Sequence, residues 1–254
     1  MRTQSAQIDQ HNQQQRRYFE QTWKRTMQPA GTPYLRRQTD EMVRATGITA
    51  GQRVLEVGCG MGRYTFLLAE RGIRIEGLDL SPVLLDRLRE YDGGQYNIPL
   101  YCTDISRPPS ELEERFDSVI GFFTLHHLHD LELCFRGITR LVRPGGVVAF
   151  LEPNPYNPLY YLQILFTPGM TWEGDGGLIH MRRSVLFNAM RRAGLENLEL
   201  TRFGFFPPFL TNRTWGARLE SILERIPLWK FALPFQIIKG RKRWGADGNQ
   251  TEKF

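Results

Sequence analysis

Between residues 53 and 152 five apolar runs alternate with helix-like stretches, and four of the runs end in, or just before, an acid. The first is Val54-Leu55-Glu56-Val57, closed by Gly58. Ile73 to Asp79, Ile98 to Cys102 with Asp104 beyond it, Phe116 to Phe122, and Val147 to Leu151 with Glu152 follow. Short apolar runs bounded by Gly or Pro read as buried strands. The stretches between them carry helix punctuation. Ser81-Pro82 supplies an N-cap and a first-turn proline, and Gly72, Gly93 and Arg143-Pro144-Gly145-Gly146 are stops. Five such alternations require parallel strands, right-handed crossovers and helices on both faces of an α/β sheet. Ligands of these sheets bind at the carboxyl ends of the strands. Glu56, Asp79, Asp104 and Glu152 all fall at that edge.

The loop after the first strand, Gly58-Cys59-Gly60-Met61-Gly62, places glycine at every second position. Such spacing allows a sharp turn and lets a ligand approach main-chain N–H groups that a Cβ would block. A dinucleotide loop has the form Gly-x-Gly-x-x-Gly, the third glycine allowing close helix–strand contact. Here that third position is Arg63, and Gly62 comes one residue early. Asp79 stands at the right distance to hold a ribose in either scheme.

Taken together, Leu55-Glu56-Val57-Gly58-Cys59-Gly60-Met61-Gly62, Gly77-Leu78-Asp79-Leu80-Ser81, Thr103-Asp104-Ile105, Phe116-Asp117 with His126-His127-Leu128, and Leu141-Val142-Arg143-Pro144-Gly145-Gly146 resemble the class I S-adenosylmethionine-dependent methyltransferases. The resemblance covers about residues 50–152 and keeps the family's order and spacing. It implies a Rossmann-like, seven-stranded sheet, mostly parallel with an antiparallel last strand. It also implies S-adenosylmethionine as cofactor. Glu56 and the backbone of Gly58, Cys59 and Gly60 would hold the methionine moiety. Asp79 would accept from the ribose hydroxyls, with Leu80 against the adenine. Asp104 would accept from the adenine amine and the Ile105 N–H would reach a ring nitrogen. Phe122 and the residues after it would line the methyl-transfer face. The chemistry agrees: carboxylates suit a donor-rich ligand with a sulfonium cation, whereas Glu56 would repel a pyrophosphate.

The remaining chain divides around this core. Residues 1–50 read as an N-terminal helical cap, with Tyr18, Phe19 and Trp23 forming the apolar face of its first helix. That helix either packs on the domain edge or covers the ligand. Residues 51–240 form the methyltransferase domain, with lid insertions at about 153–180 and 205–233 and a basic, disordered tail over 241–254. Trp215 to Ile226 is amphipathic, with Leu219, Ile222 and Leu223 on one face. Tyr156, Tyr160, Phe166, Trp172, Phe205, Phe206 and Trp229 make both insertions aromatic. An apolar or aromatic small-molecule acceptor follows, such as a natural-product, isoprenoid or lipid intermediate, with O-methylation favoured. A hydroxyl acceptor needs a base, for which His126 and His127 are the first candidates and His129, Glu152 and His180 the next. Alternatively, one of these histidines packs on the cofactor and another caps the following helix.

Other classes find less support. The chain carries a net charge of +6, but its arginines are scattered and its basic clusters lie far apart. A nucleic-acid partner therefore rests on net charge alone, as does an RNA or protein methyl acceptor. A non-catalytic, cofactor-binding regulator is the other alternative. Gly121-Phe122-Phe123-Thr124 lacks the Asn/Asp-Pro-Pro-aromatic signature of nucleobase amino methylation and has no Pro-Cys pair. Cys59, Cys102 and Cys134 show no zinc or disulfide spacing, and no metal is expected. The polar N-terminus is no secretory signal, so a cytoplasmic protein is expected. Its basic, amphipathic C-terminal third is suited to peripheral membrane contact.

Overall fold

Two helices precede the sheet in the computed structural model, which describes residues 2–21, 27–158, 161, 176–226 and 230–244. These are α1 (Arg2–Gln21) and α2 (Pro33–Thr46). The start of α2 is set locally: Thr32 accepts a hydrogen bond from the Leu35 N–H, Pro33 occupies the first turn, and Gly47 closes the helix at φ 71°. The Gly31-Thr32-Pro33 break is thus the cap of the second helix.

The sheet contains β1 (Arg53–Val57), β2 (Arg74–Asp79), β3 (Leu100–Cys102), β4 (Phe116–Phe122), β5 (Val142–Pro153), β6 (Leu195–Phe203) and β7 (Phe235–Lys242). Its order is β3-β2-β1-β4-β5-β7-β6. β1 to β5 pair in parallel, and β7 runs antiparallel to both neighbours. The chain steps outward from β1 in both directions, so the switch point lies at its carboxyl end. Register brings the strand ends level there: Val57 sits beside Leu78 on one side and Gly121 on the other.

Helices α3 (Thr65–Ala69), α4 (Pro82–Asp92), α5 (Leu131–Leu141), α6 (Arg183–Arg192) and α7 (Thr214–Leu223) complete the described elements used below. One face of the sheet buries Phe116, Phe135, Ile138 and Phe150 under α5 and α6. The other buries Val54, Leu68, Ile120 and Leu151 with Met42 of α2. Each such side chain contributes about 1.5–3 kcal/mol on leaving water.

The structure departs from the sequence expectation at several points. β5 begins at Val142 rather than Val147, so Arg143-Pro144-Gly145-Gly146 opens the strand instead of only stopping the helix before it. The helix after the glycine loop starts at Thr65 rather than near Arg63, because Gly62, at φ 88°, holds the chain in a left-handed conformation first. β7 continues through Arg241 and Lys242, which therefore belong to the sheet and not to the tail. There Lys242 Nζ donates to Glu114 and to the Val142 carbonyl, both at 2.9 Å, and Arg241 reaches the Gly145 carbonyl at 3.1 Å. Paired cations at the end of this inner strand extend a segment that composition alone reads as solvated. Finally, α7 turns Leu219 and Ile222 to solvent, while Gly216 and Glu220 are its buried residues. Trp23, Tyr160, Phe166, Trp172 and Trp229, the rest of the tail (245–254) and most of the first insertion lie outside the described residues.

Candidate active site

The glycine loop is tied to β2 by its own backbone. The N–H groups of Gly58 and Cys59 donate to the Leu78 carbonyl at 2.7 and 3.2 Å, and that of Gly62 to the Cys59 carbonyl at 2.9 Å. The Gly60 N–H donates to Asp79 Oδ2 at 2.8 Å. The Gly58 and Cys59 donors continue the β1–β2 ladder past the strand ends, the Gly62 donor closes a turn within the loop, and the Gly60 donor meets a side chain. Two glycines are required sterically. At Gly58, φ is 72° and a Cβ would lie 2.5 Å from Thr124 Oγ1. At Gly62 a Cβ would lie 2.6 Å from the Phe66 ring. Gly62 thereby gives the close helix approach that a dinucleotide loop takes from a glycine one position later.

Asp79 and Asp104 are held through both carboxylate oxygens, and Glu56 through one. Asp79 Oδ1 accepts the Ser81 N–H at 2.9 Å; Ser81 in turn caps α4 and donates from its hydroxyl to Glu20 Oε1 at 2.8 Å. Asp104 accepts the Ser106 N–H on Oδ1 and the Asn12 side-chain amide on Oδ2, both at 2.8 Å. Glu56, 1 % exposed, accepts the Thr65 hydroxyl at 2.7 Å. Burial pushes the Glu56 carboxyl up to about 8; the Thr65 hydrogen bond opposes this and Asp79 adds to it. Burial also raises Asp79, against the N–H groups of Ser81, Gly60 and Leu80. Both carboxyls are therefore poised to gain from a ligand that brings hydroxyl donors or positive charge.

A cavity of about 270 Å³ opens between these groups. Glu56, Gly58, Cys59 and Gly60 from β1 and its loop line it, with Asp79 and Leu80 from β2, Asp104 and Ile105 after β3, and Phe122 at the end of β4. Phe122 is held by Tyr64, whose ring stacks on it at 4.1 Å with an interplanar angle of 7°. The opposite wall comes from α1 through Asn12, Gln15, Arg16 and Phe19, followed by Met27. Sequence reasoning found only Phe19 among these. Polar residues on a glutamine-rich helix carry no periodic signal, and only tertiary placement reveals them. None of the described residues of 205–233 lines the cavity.

The candidate bases separate. His127 lines the cavity, with the Phe19 ring edge-on at 4.9 Å. His126 is buried behind it, its Nδ1 2.6 Å from Glu152 Oε2. The other oxygen of Glu152 accepts the N–H groups of Thr124 and Leu125 at 2.8 and 2.7 Å. Glu152 is thus turned away from the ligand and fixes the 124–127 turn. His129 packs its ring against His11 at 5.2 Å, and His180 is exposed. The α5 cap is Asp130, which accepts the Leu133 N–H at 2.9 Å, so no histidine has that task. Among the described residues no group of three or more His, Cys, Asp or Glu side chains could hold a metal ion.

A doubly wound sheet with three carboxylates around a cavity at its switch point defines a nucleoside-cofactor-binding α/β protein. The methyltransferase-domain family matches residues 55–150. The chain is 30% identical to a ubiquinone biosynthesis O-methyltransferase of Acinetobacter baumannii, covering 68% of this chain and 75% of that one. It is 34% identical over 115 residues to the enzyme of that name from Pseudomonas fluorescens, covering 44% of this chain and about half (49%) of the relative's length. A methyltransferase structure from Archaeoglobus fulgidus superposes with a TM-score of 0.59 at 15% identity, covering 84% of this chain and 95% of that one. The cyclase SpnF superposes with 0.60 at 22% identity, covering 83% and 81%. The structural likenesses concern the fold, which in SpnF carries a reaction other than methyl transfer by name. The chain belongs to the class I S-adenosylmethionine-dependent methyltransferases. The cavity suits that cofactor: Asp79 and Asp104 retain acceptor lone pairs beyond their backbone partners, and a Cβ at Gly60 would meet nothing within 4 Å.

Proposed function

We propose that the protein transfers a methyl group from S-adenosylmethionine to an oxygen of an apolar or aromatic small molecule, a natural-product, isoprenoid or lipid intermediate. The observation that carries this reading is the composition of the cavity's two sides. The acids at the ends of β1 to β3 face a wall that continues into Phe19, Met27, Phe122, Phe123 and Leu128. The polar part suits a nucleoside and the apolar part suits an acceptor with little charge. The names of the ubiquinone O-methyltransferase relatives point the same way.

The bound cofactor supplies an electrophilic methyl group. On this reading Glu56, Asp79 and Asp104 hold the cofactor and the apolar wall orients the acceptor. Holding two reactants in line contributes roughly 7–11 kcal/mol. His127, which lines the cavity, takes the acceptor's proton on this reading. His126 acts through position, since Glu152 and His126 together brace the turn that carries His127. Peripheral contact of the C-terminal third with a membrane is the setting in which a lipid-like acceptor would be met.

The test is incubation with methyl-labelled S-adenosylmethionine and, in parallel, a catechol, a prenylated phenol, transfer RNA and a basic protein. Label in the organic extract of the phenolic reactions is the expected result. Label confined to RNA or protein, or cofactor binding without turnover on any acceptor, would overturn the proposal.

A further inference from the structure

Helix α7 is inverted relative to an ordinary surface helix. Its buried residues are Gly216 and Glu220, and a Cβ at Gly216 would overlap the Leu210 carbonyl oxygen. Glu220 accepts the Phe205 and Phe206 N–H groups at 2.6 and 2.8 Å and pairs with Arg37 of α2. Glu224, one turn on, accepts the Gly204 N–H at 2.5 Å and also pairs with Arg37. The polar side is therefore pinned inward. The apolar side is left outside: Trp215, Leu219, Ile222 and Ile226 are 55, 40, 59 and 39 % exposed. Spacings of four and three residues put Trp215, Leu219 and Ile222 on one stripe, and exposed Ile226 follows just after the helix. Phe209 and Phe231 of the same insertion are exposed as well.

Charge selects the occupant. The two carboxylates of this insertion are those turned inward to Arg37. Arg213, Arg218, Arg225 and Lys230 are exposed, and none of them is in an ion pair among the described residues. We propose that α7 and the turn after it form a docking face for an anionic lipid surface, the apolar stripe entering the headgroup boundary and the cations meeting lipid phosphates. A second copy fits less well. A two-fold contact would bring the same cations together with no outward carboxylate of the insertion to meet them. This gives a place and a lipid charge to the membrane contact proposed above, and rests on that reading.

The test is co-sedimentation of the full chain with phosphatidylcholine vesicles, with and without phosphatidylglycerol, read without cofactor or acceptor. The expected result is binding that needs phosphatidylglycerol and weakens with salt. Arg218→Gln with Arg225→Gln should weaken it about five-fold per cation, and Leu219→Ser with Ile222→Ser by at least about ten-fold. All four positions are exposed, so thermal unfolding should not change. Absence of binding to anionic vesicles, or equal binding by both variants and the wild type, would overturn the proposal. So would a dimer in light scattering that the Leu219/Ile222 variant dissolves while vesicle binding stays the same. A protein that methylates a soluble acceptor yet ignores vesicles fails here while the activity proposal stands.

Discussion

Replacing Asp79 by alanine separates its observed task, holding the Gly60 and Ser81 backbone, from the ribose contact proposed for it. In the free protein Asp79 accepts the N–H groups of Gly60 and Ser81 at 2.8 and 2.9 Å. Leaving a buried donor unsatisfied costs about 1–3 kcal/mol, but both donors lie beside a cavity that water can enter. Removing a carboxylate whose ionisation burial already disfavours returns part of that cost. The net loss of stability should stay below about 2 kcal/mol, a fall of roughly 4–8 °C in Tm for a chain of this size. Cofactor binding should suffer more. Two hydrogen bonds from ribose hydroxyls to a charged acceptor are each worth about 1.5–3 kcal/mol. Their loss weakens binding by roughly 10²–10⁴-fold. Calorimetric titration with S-adenosylhomocysteine reads the second effect, and thermal unfolding without ligand reads the first. Asp79→Asn keeps the volume but sets an amide NH₂ against one backbone N–H, and should behave like Asp79→Ala in both assays. An affinity for S-adenosylhomocysteine within about ten-fold of wild type would refute the ribose assignment.

Glu56 carries a pH signature. Burial pushes its carboxyl up to about 8 in the folded protein from an ordinary 4.5. Between those values the folded state holds a proton that the unfolded chain has released, so stability falls as pH rises through this window. Denaturant titrations across it should show that slope in the wild type and lose it in Glu56→Gln; parallel slopes would contradict the burial argument. Gly58→Ala should cost about 1–2 kcal/mol for the left-handed backbone and more for the overlap with Thr124, whereas Gly60→Ala pays the backbone cost alone. Equal losses in urea titrations of the two variants would sink the steric reading. His126→Ala strips a buried hydrogen-bond partner from Glu152 and should lower stability by about 1–3 kcal/mol while the pH–rate profile of the folded fraction keeps its shape. A shifted profile with unchanged unfolding would make His126 the base.

The parts of this molecule written in short sequence windows were the legible ones. Ser81-Pro82 caps α4 through contacts within three residues, and Gly93 closes the same helix. The acids at the ends of β1, β2 and β3 could be placed at one edge because a parallel sheet leaves no other place for them. Glu152 obeyed the same sequence rule and went elsewhere, since the unsatisfied N–H groups of Thr124 and Leu125 turned it inward. Its task depends on a turn 26 to 28 residues away, which no local window contains. The stripe on α7 was legible as amphipathic, but its direction was not. An arginine on α2, 183 residues from Glu220, decides which side is buried. The α1 wall was hidden for a similar reason: Asn12 has meaning only once Asp104 is beside it.

That wall bears on turnover. Asn12 is bonded to Asp104, the residue proposed to meet the adenine amine, and Glu20 is bonded to the hydroxyl that caps α4. A nucleoside reaching Asp104 must share or displace the first bond, and its departure after reaction passes beneath the same helix. Exchange of spent for fresh cofactor then becomes a conformational step, and the residence time of the product can set the pace of the cycle more strongly than the chemical event. Helix α1, which lies outside the sheet, would then act as its clock.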